Sequence, residues 1–134
     1  MPAEPVVRPP RPRVSPSVLV VEPDADMAWL ARLALRRVGF RVVTAASAAE
    51  AGARAAAEGP VVVVIDTDTV SLRLVVAALE AALGPRPLVL LVGPREPTYA
   101  ARGRFRISAR LRKPFGAADL VAAVRGALVD AGSA

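Results

Sequence analysis

The residues best suited to chemistry in this chain are acidic side chains that follow short apolar runs, together with one lysine. Glu22 follows the run VLVV, Asp66 and Asp68 follow the run VVVVI, and Lys113, the only lysine, stands close behind RISARL. Carboxylate oxygens can hold a divalent cation and a lysine can bind an anion, a combination that suits phosphoryl chemistry. Because clustered carboxylates repel one another, a cation among them is also electrostatically favoured.

The composition excludes several other chemistries. The 134 residues include neither cysteine nor histidine, which removes disulfides, thiolate metal sites and every triad that depends on imidazole. The apolar runs are far shorter than the roughly 20 residues that span a bilayer. The N-terminus has no apolar stretch with a cleavage site. We therefore expect a cytoplasmic protein of one domain with no membrane contact.

The formal net charge of +6 comes almost entirely from arginine. A basic excess can indicate a nucleic-acid or acidic partner. It can also reflect a GC-rich genome, which favours Ala, Arg, Gly, Pro and Val codons together. We favour the second explanation, because it accounts for the many alanines and prolines as well.

The segments around the acidic residues alternate between the strand and helix patterns. Ser47 and Glu50 have the spacing of a helix capping box. The alternation predicts a parallel sheet with helices on both faces, and such sheets bind ligands at the carboxyl ends of their strands. Predicted strands lie at 18–21, 41–45, 61–65, 87–93 and 106–111, and predicted helices at 24–38, 47–58, 72–83, 95–104 and 117–129.

The first of these helices has an amphipathic pattern. Met27, Leu30, Leu35 and Val38 share one stripe, which we expect to face the core. Trp29 lies across the helix from that stripe, where it either contacts a partner or packs partly against a neighbouring helix.

Residues 1–16, MPAEPVVRPPRPRVSP, have no apolar periodicity and are rich in proline and arginine. We expect a disordered or polyproline-like tail there, followed by one folded domain at 17–131. An inert tail is favoured, with docking of PPRPR in an aromatic groove or on phosphates as the alternative.

From Ser17 to Val129 the sequence resembles the receiver domains of bacterial two-component response regulators. VLVVEPDAD is similar to the family's first strand and acidic pair, and VGFRVVTAASAAEA to its helix and second strand. VVVVIDTD is similar to the strand that carries the phosphoacceptor Asp, and LRKPF to the strand-end Lys-Pro-Phe. The resemblance implies a flavodoxin-like (βα)5 three-layer α/β sandwich with a five-stranded parallel sheet in the order 2-1-3-4-5.

The resemblance also implies a role for each matching residue. Asp66 stands at the phosphoacceptor position, and Lys113 would pair with the phosphoryl oxygens. Glu22 would orient Mg²⁺ through water, and the backbone carbonyl of Asp68 would bind the metal directly. The bond before Pro114 is cis in the family. The implied partner is a histidine kinase, a phosphotransfer protein or another signalling protein, and the domain would not be an enzyme in its own right.

Several positions depart from the family pattern. Pro23 replaces the acidic residue that ligates Mg²⁺ and has no side-chain oxygen. Asp24 could substitute for it, although we favour Asp24 as the cap of the next helix. Val92 replaces the hydroxyl residue that binds the phosphoryl group, and Arg110 replaces the aromatic switch residue. We therefore expect weak or absent Mg²⁺ binding and impaired switching.

Two hypotheses of function follow. In the first, a stand-alone receiver domain accepts phosphate at Asp66 within a phosphorelay. In the second, the domain docks onto partners independently of phosphorylation, through Trp29 or through a basic face with Arg104, Arg106 and Arg110, unless that face is merely solvated. Nucleic-acid binding would be non-specific and salt-sensitive, and the acidic EPDAD segment disfavours a flavin site.

Overall fold

The structure, a computed structural model, describes residues 15–93 and 105–132, which form five strands and four helices. The predicted elements in these ranges are confirmed, with ends shifted by a few residues. The predicted helix at 95–104 and residues 1–14 of the predicted tail lie outside the described residues, and the division into 1–16 and 17–131 stays a prediction. The elements are β1 (Ser17–Val21), α1 (Ala25–Arg36), β2 (Arg41–Ala45), α2 (Ala48–Glu58), β3 (Val62–Asp66), α3 (Leu72–Ala82), β4 (Pro87–Val92), β5 (Arg106–Arg112) and α4 (Ala117–Gly132).

The five strands form one parallel sheet in the order β2-β1-β3-β4-β5, which confirms the predicted topology. Strand order reverses between β1 and β3, where Val21 pairs with Ile65. The next residues of these two strands are Glu22 and Asp66, so the register alone brings two carboxyl groups side by side. This reversal is the point at which doubly wound sheets bind their ligands.

The three central strands are buried along their whole length. The continuous apolar run VVVVI predicted this for β3. Alternate residues of each strand enter one of two apolar clusters. Leu19 and Leu79 belong to the cluster under α2 and α3, whereas Val20 and Val124 belong to the cluster under α1 and α4. With both faces covered, these three central strands carry polar side chains only at their ends, Ser17 at the start of β1 and Asp66 at the end of β3.

Side-chain caps fix where the helices start. Asp24, Ser47 and Ser71 each accept backbone N–H bonds at the N-terminus of the helix that follows. The Ser47 half of the predicted capping box is confirmed, because the Glu50 N–H donates to Ser47 Oγ at 3.1 Å. Gly59 ends α2 in the left-handed conformation, with φ at 55°.

The predicted apolar stripe of α1 is only partly buried. Leu35 is fully buried, but Met27 is 40% exposed, Leu30 52% and Val38 39%. Met27 and Leu30 line an open groove of about 330 Å³ that α1 and the start of α4 leave between them, with Phe115 on its other side. The periodicity predicted the helix correctly but overestimated how much of this face α4 covers.

Candidate functional site

An ion pair between Asp66 and Lys113 forms the centre of the site. Asp66 is the last residue of β3 and is buried, and Lys113 Nζ lies 2.7 Å from its Oδ2. Lys113 follows β5 directly, and its backbone N–H donates to the Val92 carbonyl at 2.9 Å. The peptide bond between Lys113 and Pro114 is cis, as the resemblance implied. The strand ends thus place the acidic residue and the only lysine together, as the sequence predicted.

Glu22 lies beside Asp66 and is also buried. Its backbone N–H donates to the Ala45 carbonyl at 2.8 Å, and its Oε1 accepts from the Asp24 N–H at 3.0 Å. Burial first, and then hydrogen bonding with the neighbouring Asp66 carboxylate, raise the pKa of Glu22 to about 7.

The two partners of the ion pair are held in their charged forms. Burial alone would raise the pKa of Asp66, but hydrogen bonds with Glu22, Lys113 and the Asp68 backbone outweigh it and lower that pKa. Burial alone would lower the pKa of Lys113, but its bonds and attraction to Asp66 and Asp68 raise it instead. The site therefore contains a carboxylate that stays ionised, Asp66, and an ammonium group that stays protonated, Lys113. Its third group, the Glu22 carboxyl, readily takes a proton.

The side chain of Asp68 enters the site as well, which the sequence did not predict. Gly93 donates its N–H to Asp68 Oδ1 at 3.1 Å, and Lys113 Nζ lies 3.4 Å from Asp68 Oδ2. The sequence assigned this residue only a backbone carbonyl for a metal. A glycine directly after β4 was the available signal, because it leaves room for a neighbouring side chain.

The carboxylates of the site do not form a donor set that fits Mg²⁺. Pro23 has no side-chain oxygen, and Asp24 Oδ1 accepts the N–H groups of Asp26 and Met27 at 2.9 and 3.1 Å, so it caps α1. The Lys113 ammonium lies between the carboxylates of Asp66 and Asp68 and already neutralises the charge of Asp66. Within the part of the chain that the structure describes, no three His, Cys, Asp or Glu side chains are arranged to hold a metal ion.

Val92 and Arg110 are the two other residues that depart from the family pattern, and the structure shows the surroundings of each. Val92 is fully buried in the apolar cluster under α2 and α3. Arg110 is exposed on β5 and pairs in register with Leu90 of β4. Neither a hydroxyl nor an aromatic ring is therefore supplied from these two positions.

The predicted partner surfaces are exposed where the structure describes them. Trp29 is 59% exposed and lines a shallow depression with Arg32 and Arg36. Arg106 and Arg110 are exposed on β5, and Arg104 lies outside the described residues. Their role as partner contacts stays a prediction. Among the described residues, no helix has both the length and the apolar character needed to cross a membrane.

Comparison with known proteins identifies the fold. No protein-family model and no curated protein matches the sequence. Among solved structures, a response regulator receiver domain protein from Clostridium thermocellum superposes with a TM-score of 0.72 at 19% identity, covering 88% of this chain and 98% of that one. A CheY-like receiver domain protein from Methanospirillum hungatei JF-1 gives 0.63 at 21% identity, covering 87% and 94%.

A longer protein, NtrX from Brucella abortus, gives a TM-score of 0.69 at 25% identity over 89% of this chain, which spans only 28% of the NtrX chain. The class that the sheet order and these neighbours define is the flavodoxin-like α/β sandwich. Within that class, this chain has the fold of the receiver domains of two-component response regulators.

Proposed function

We propose that this chain is a receiver domain of a two-component phosphorelay in which Asp66 keeps the phosphoacceptor position while Mg²⁺ binding and switching are degraded. The observation that carries the proposal is the buried Asp66 carboxylate, 2.7 Å from Lys113 at the point where strand order reverses. The receiver domains among its structural neighbours support the same role.

The reaction at this site would be a phosphoryl transfer. A carboxylate oxygen of Asp66 attacks phosphorus, the bond from phosphorus to the donor's nitrogen or oxygen breaks, and the donor leaves with that electron pair. Lys113 would stabilise charge on the transferred group. Such transfers depend mainly on positioning and charge neutralisation, which a divalent cation normally supplies.

Three positions argue that this reaction is inefficient here. Pro23 removes a metal ligand, Val92 removes a hydroxyl donor, and Arg110 removes the aromatic switch residue. A pocket without the metal ligand, the hydroxyl donor and the aromatic switch residue would accept a phosphoryl group slowly. Phosphorylation would then cause little conformational change elsewhere in the domain. The proposed partner is a histidine kinase, a phosphotransfer protein or another cytoplasmic signalling protein, and the domain would not act as an enzyme by itself.

The second candidate function is docking without phosphorylation, and the exposure of Trp29 beside Arg32 and Arg36 favours it. Aromatic and arginine side chains are common anchors of protein interfaces. Trp29→Ala should abolish partner binding under this candidate while changing the free energy of unfolding by less than about 0.5 kcal/mol. Leu35→Ala on the buried side of α1 is the contrasting variant, with an expected loss of about 2–5 kcal/mol.

The proposed function is tested by intact-mass spectrometry after incubation with acetyl phosphate, with and without Mg²⁺. Wild type, Asp66→Ala and Pro23→Asp are compared. We expect little adduct on the wild type, none on Asp66→Ala, and a Mg²⁺-dependent gain on Pro23→Asp, because that change restores an oxygen ligand.

Two other results would contradict parts of the proposal. Complete Mg²⁺-dependent modification of the wild type would show that the pocket is not degraded. No adduct on folded wild type or folded Pro23→Asp would show that Asp66 is not a phosphoacceptor, and the docking function would then remain.

A further inference from the structure

Two hydrogen-bond donors at this edge of the sheet, the Gly93 N–H and the Lys113 ammonium, are already bound by a carboxylate of the chain itself. Gly93 and Lys113 are the residues that follow the register pair Val92 and Arg112, so they lie side by side at the ends of β4 and β5. The Gly93 N–H and Lys113 Nζ both contact the Asp68 carboxylate, at 3.1 and 3.4 Å. The same Nζ contacts Asp66 Oδ2 at 2.7 Å, which places the Asp68 carboxylate next to the proposed acceptor.

The identity of residue 93 supports this arrangement independently. A Cβ atom on Gly93 would lie 2.0 Å from Asp68 Oδ2 and 2.2 Å from Oδ1, closer than atoms can approach. Among the described glycines only Gly39 and Gly59 have positive φ, so Gly93 is not needed for an unusual backbone conformation. Its missing side chain instead provides the space that the Asp68 carboxylate fills.

The turn after β3 is held against β4, and this contact directs the Asp68 side chain toward that space. The backbone N–H and the hydroxyl of Thr67 both donate to the Leu91 carbonyl, each at 2.9 Å. The Asp68 N–H then donates to Asp66 Oδ1 at 3.0 Å. These bonds fix the backbone up to the Asp68 N–H, and the Asp68 side chain reaches from the end of β3 to Gly93 at the end of β4.

We infer that Asp68 is an internal anion that occupies the place where the oxygens of a phosphoryl group on Asp66 would bind. The inference rests on the proposed function of Asp66. A phosphoryl group needs donors close to the acceptor, and the Gly93 N–H and Lys113 ammonium are engaged by Asp68. An incoming phosphate must displace this carboxylate, since like charges repel at such short distances. The pocket is therefore closed by its own side chain, in addition to its lack of a metal ligand.

The test is an NMR titration of the ¹⁵N-labelled full chain with inorganic phosphate, read at the backbone amide of residue 93. Asp68→Ala is the main variant, and Asp26→Ala is its control, because it removes the same charge from an exposed site on α1. Gly93→Ala is the contrasting variant, because its methyl group would displace the carboxylate and would itself fill the space that a phosphate oxygen needs. Asp68→Asn, of nearly the same shape, replaces Asp68→Ala if that variant does not fold.

We expect the Gly93 amide of the wild type and of Asp26→Ala to respond weakly to phosphate. In Asp68→Ala the apparent affinity should rise about tenfold or more, because the Gly93 N–H is released, Lys113 keeps only its contact with Asp66, and a like charge is removed. In Gly93→Ala the affinity should stay as weak as in the wild type, because the methyl group fills the space of the anion. The Gly93 amide resonance should also move in Asp68→Ala before any phosphate is added. Equal phosphate affinity in wild type and Asp68→Ala, or an unmoved resonance, would overturn the inference.

Acetyl phosphate labelling of Asp68→Ala separates this inference from the proposed function. If phosphate binds near position 93 in the variant but Asp66 takes no phosphoryl group, the proposed function fails and the internal anion stands. If Asp66 is phosphorylated equally fast in wild type and Asp68→Ala, the internal anion is wrong and the phosphoacceptor function stands.

Discussion

Glu22 and Asp66 lie next to each other at the adjacent ends of β1 and β3, one position beyond the register pair Val21 and Ile65, and both are buried. Two carboxyl groups so placed hold one proton between them more readily than none or two. The pKa of Glu22 is accordingly raised to about 7, while that of Asp66 is lowered. Near neutral pH the proton of this pair is therefore carried by Glu22, while Asp66 is ionised and its charge is balanced by Lys113.

The first prediction concerns pH. Glu22 should lower the stability of the fold as the pH rises from about 4.5 to about 7, because the folded carboxyl keeps a proton that the unfolded one releases. Glu22→Gln donates as the protonated acid does and removes this dependence. At pH 8 the variant should exceed wild type by on the order of 1–3 kcal/mol, with little difference near pH 4.

Urea denaturation at pH 5 and pH 8 measures this effect cleanly, because the chain contains no histidine to titrate in that range. The lowered pKa of Asp66 changes stability only below this pH range, and the raised pKa of Lys113 changes it only above the range. Glu58→Gln, at an exposed ion pair with Arg41, is the control. A wild type equally stable at both pH values would contradict the prediction.

The second prediction concerns the ion pair. Lys113→Met should lower the free energy of unfolding at pH 8 by about 1–3 kcal/mol, because it leaves the buried Asp66 carboxylate without its cation. The lysine side chain is 28% exposed, so the loss should be smaller than for a fully buried pair. Chemical denaturation measures it, and Arg125→Met on the exposed face of α4 is the control. A loss no larger than that of the control would show that Asp66 does not depend on Lys113.

The third prediction separates the two roles considered for Asp24. Because its Oδ1 accepts two N–H bonds at the start of α1, Asp24→Ala should cost about 1 kcal/mol of stability. Asp24→Asn keeps an oxygen acceptor and should be close to wild type. Thermal unfolding measures both, with Ser47→Ala as the matching cap variant of α2. If a carboxylate were needed for metal binding instead, Asp24→Asn would lose Mg²⁺ affinity without losing stability.

The fourth prediction concerns position 92. Val92→Thr introduces the hydroxyl that receivers use, but Val92 is fully buried in an apolar cluster. We expect a loss of stability of about 1–3 kcal/mol from the buried hydroxyl, and no gain in labelling by acetyl phosphate. Val38→Thr, at a 39% exposed position, should be nearly neutral. A stable Val92→Thr that labels faster than wild type would show that the hydroxyl can reach the phosphoryl group.

Sequence patterns predicted most of the fold because the forces that set it are local or repetitive. The continuous run VVVVI predicted a strand covered on both faces, and Ser47 marked the start of α2 by its capping chemistry. The positions of Glu22, Asp66 and Lys113 followed from strand ends and from the resemblance to receivers. None of this required knowledge of side-chain contacts.

The rest depended on contacts between distant parts of the chain. The direction of the Asp68 side chain is set by β4 and Lys113, so a reading of the turn after β3 could not supply it. The exposure of Met27 and Leu30 depends on how closely α4 approaches α1, which helical periodicity does not encode. These are tertiary effects on elements whose local character was correctly predicted.

The presence of one lysine makes the pocket open to selective labelling. Apart from the chain's α-amine, Lys113 offers the only amine in the protein, because the other cationic side chains are guanidinium groups that stay protonated and unreactive toward acylating reagents. The contacts with Asp66 and Asp68 keep its nitrogen protonated and slow to react. The acylation rate of this single nitrogen therefore measures how strongly the carboxylates of Asp66 and Asp68 bind Lys113. It can be followed in a purified sample or in a mixture with partners.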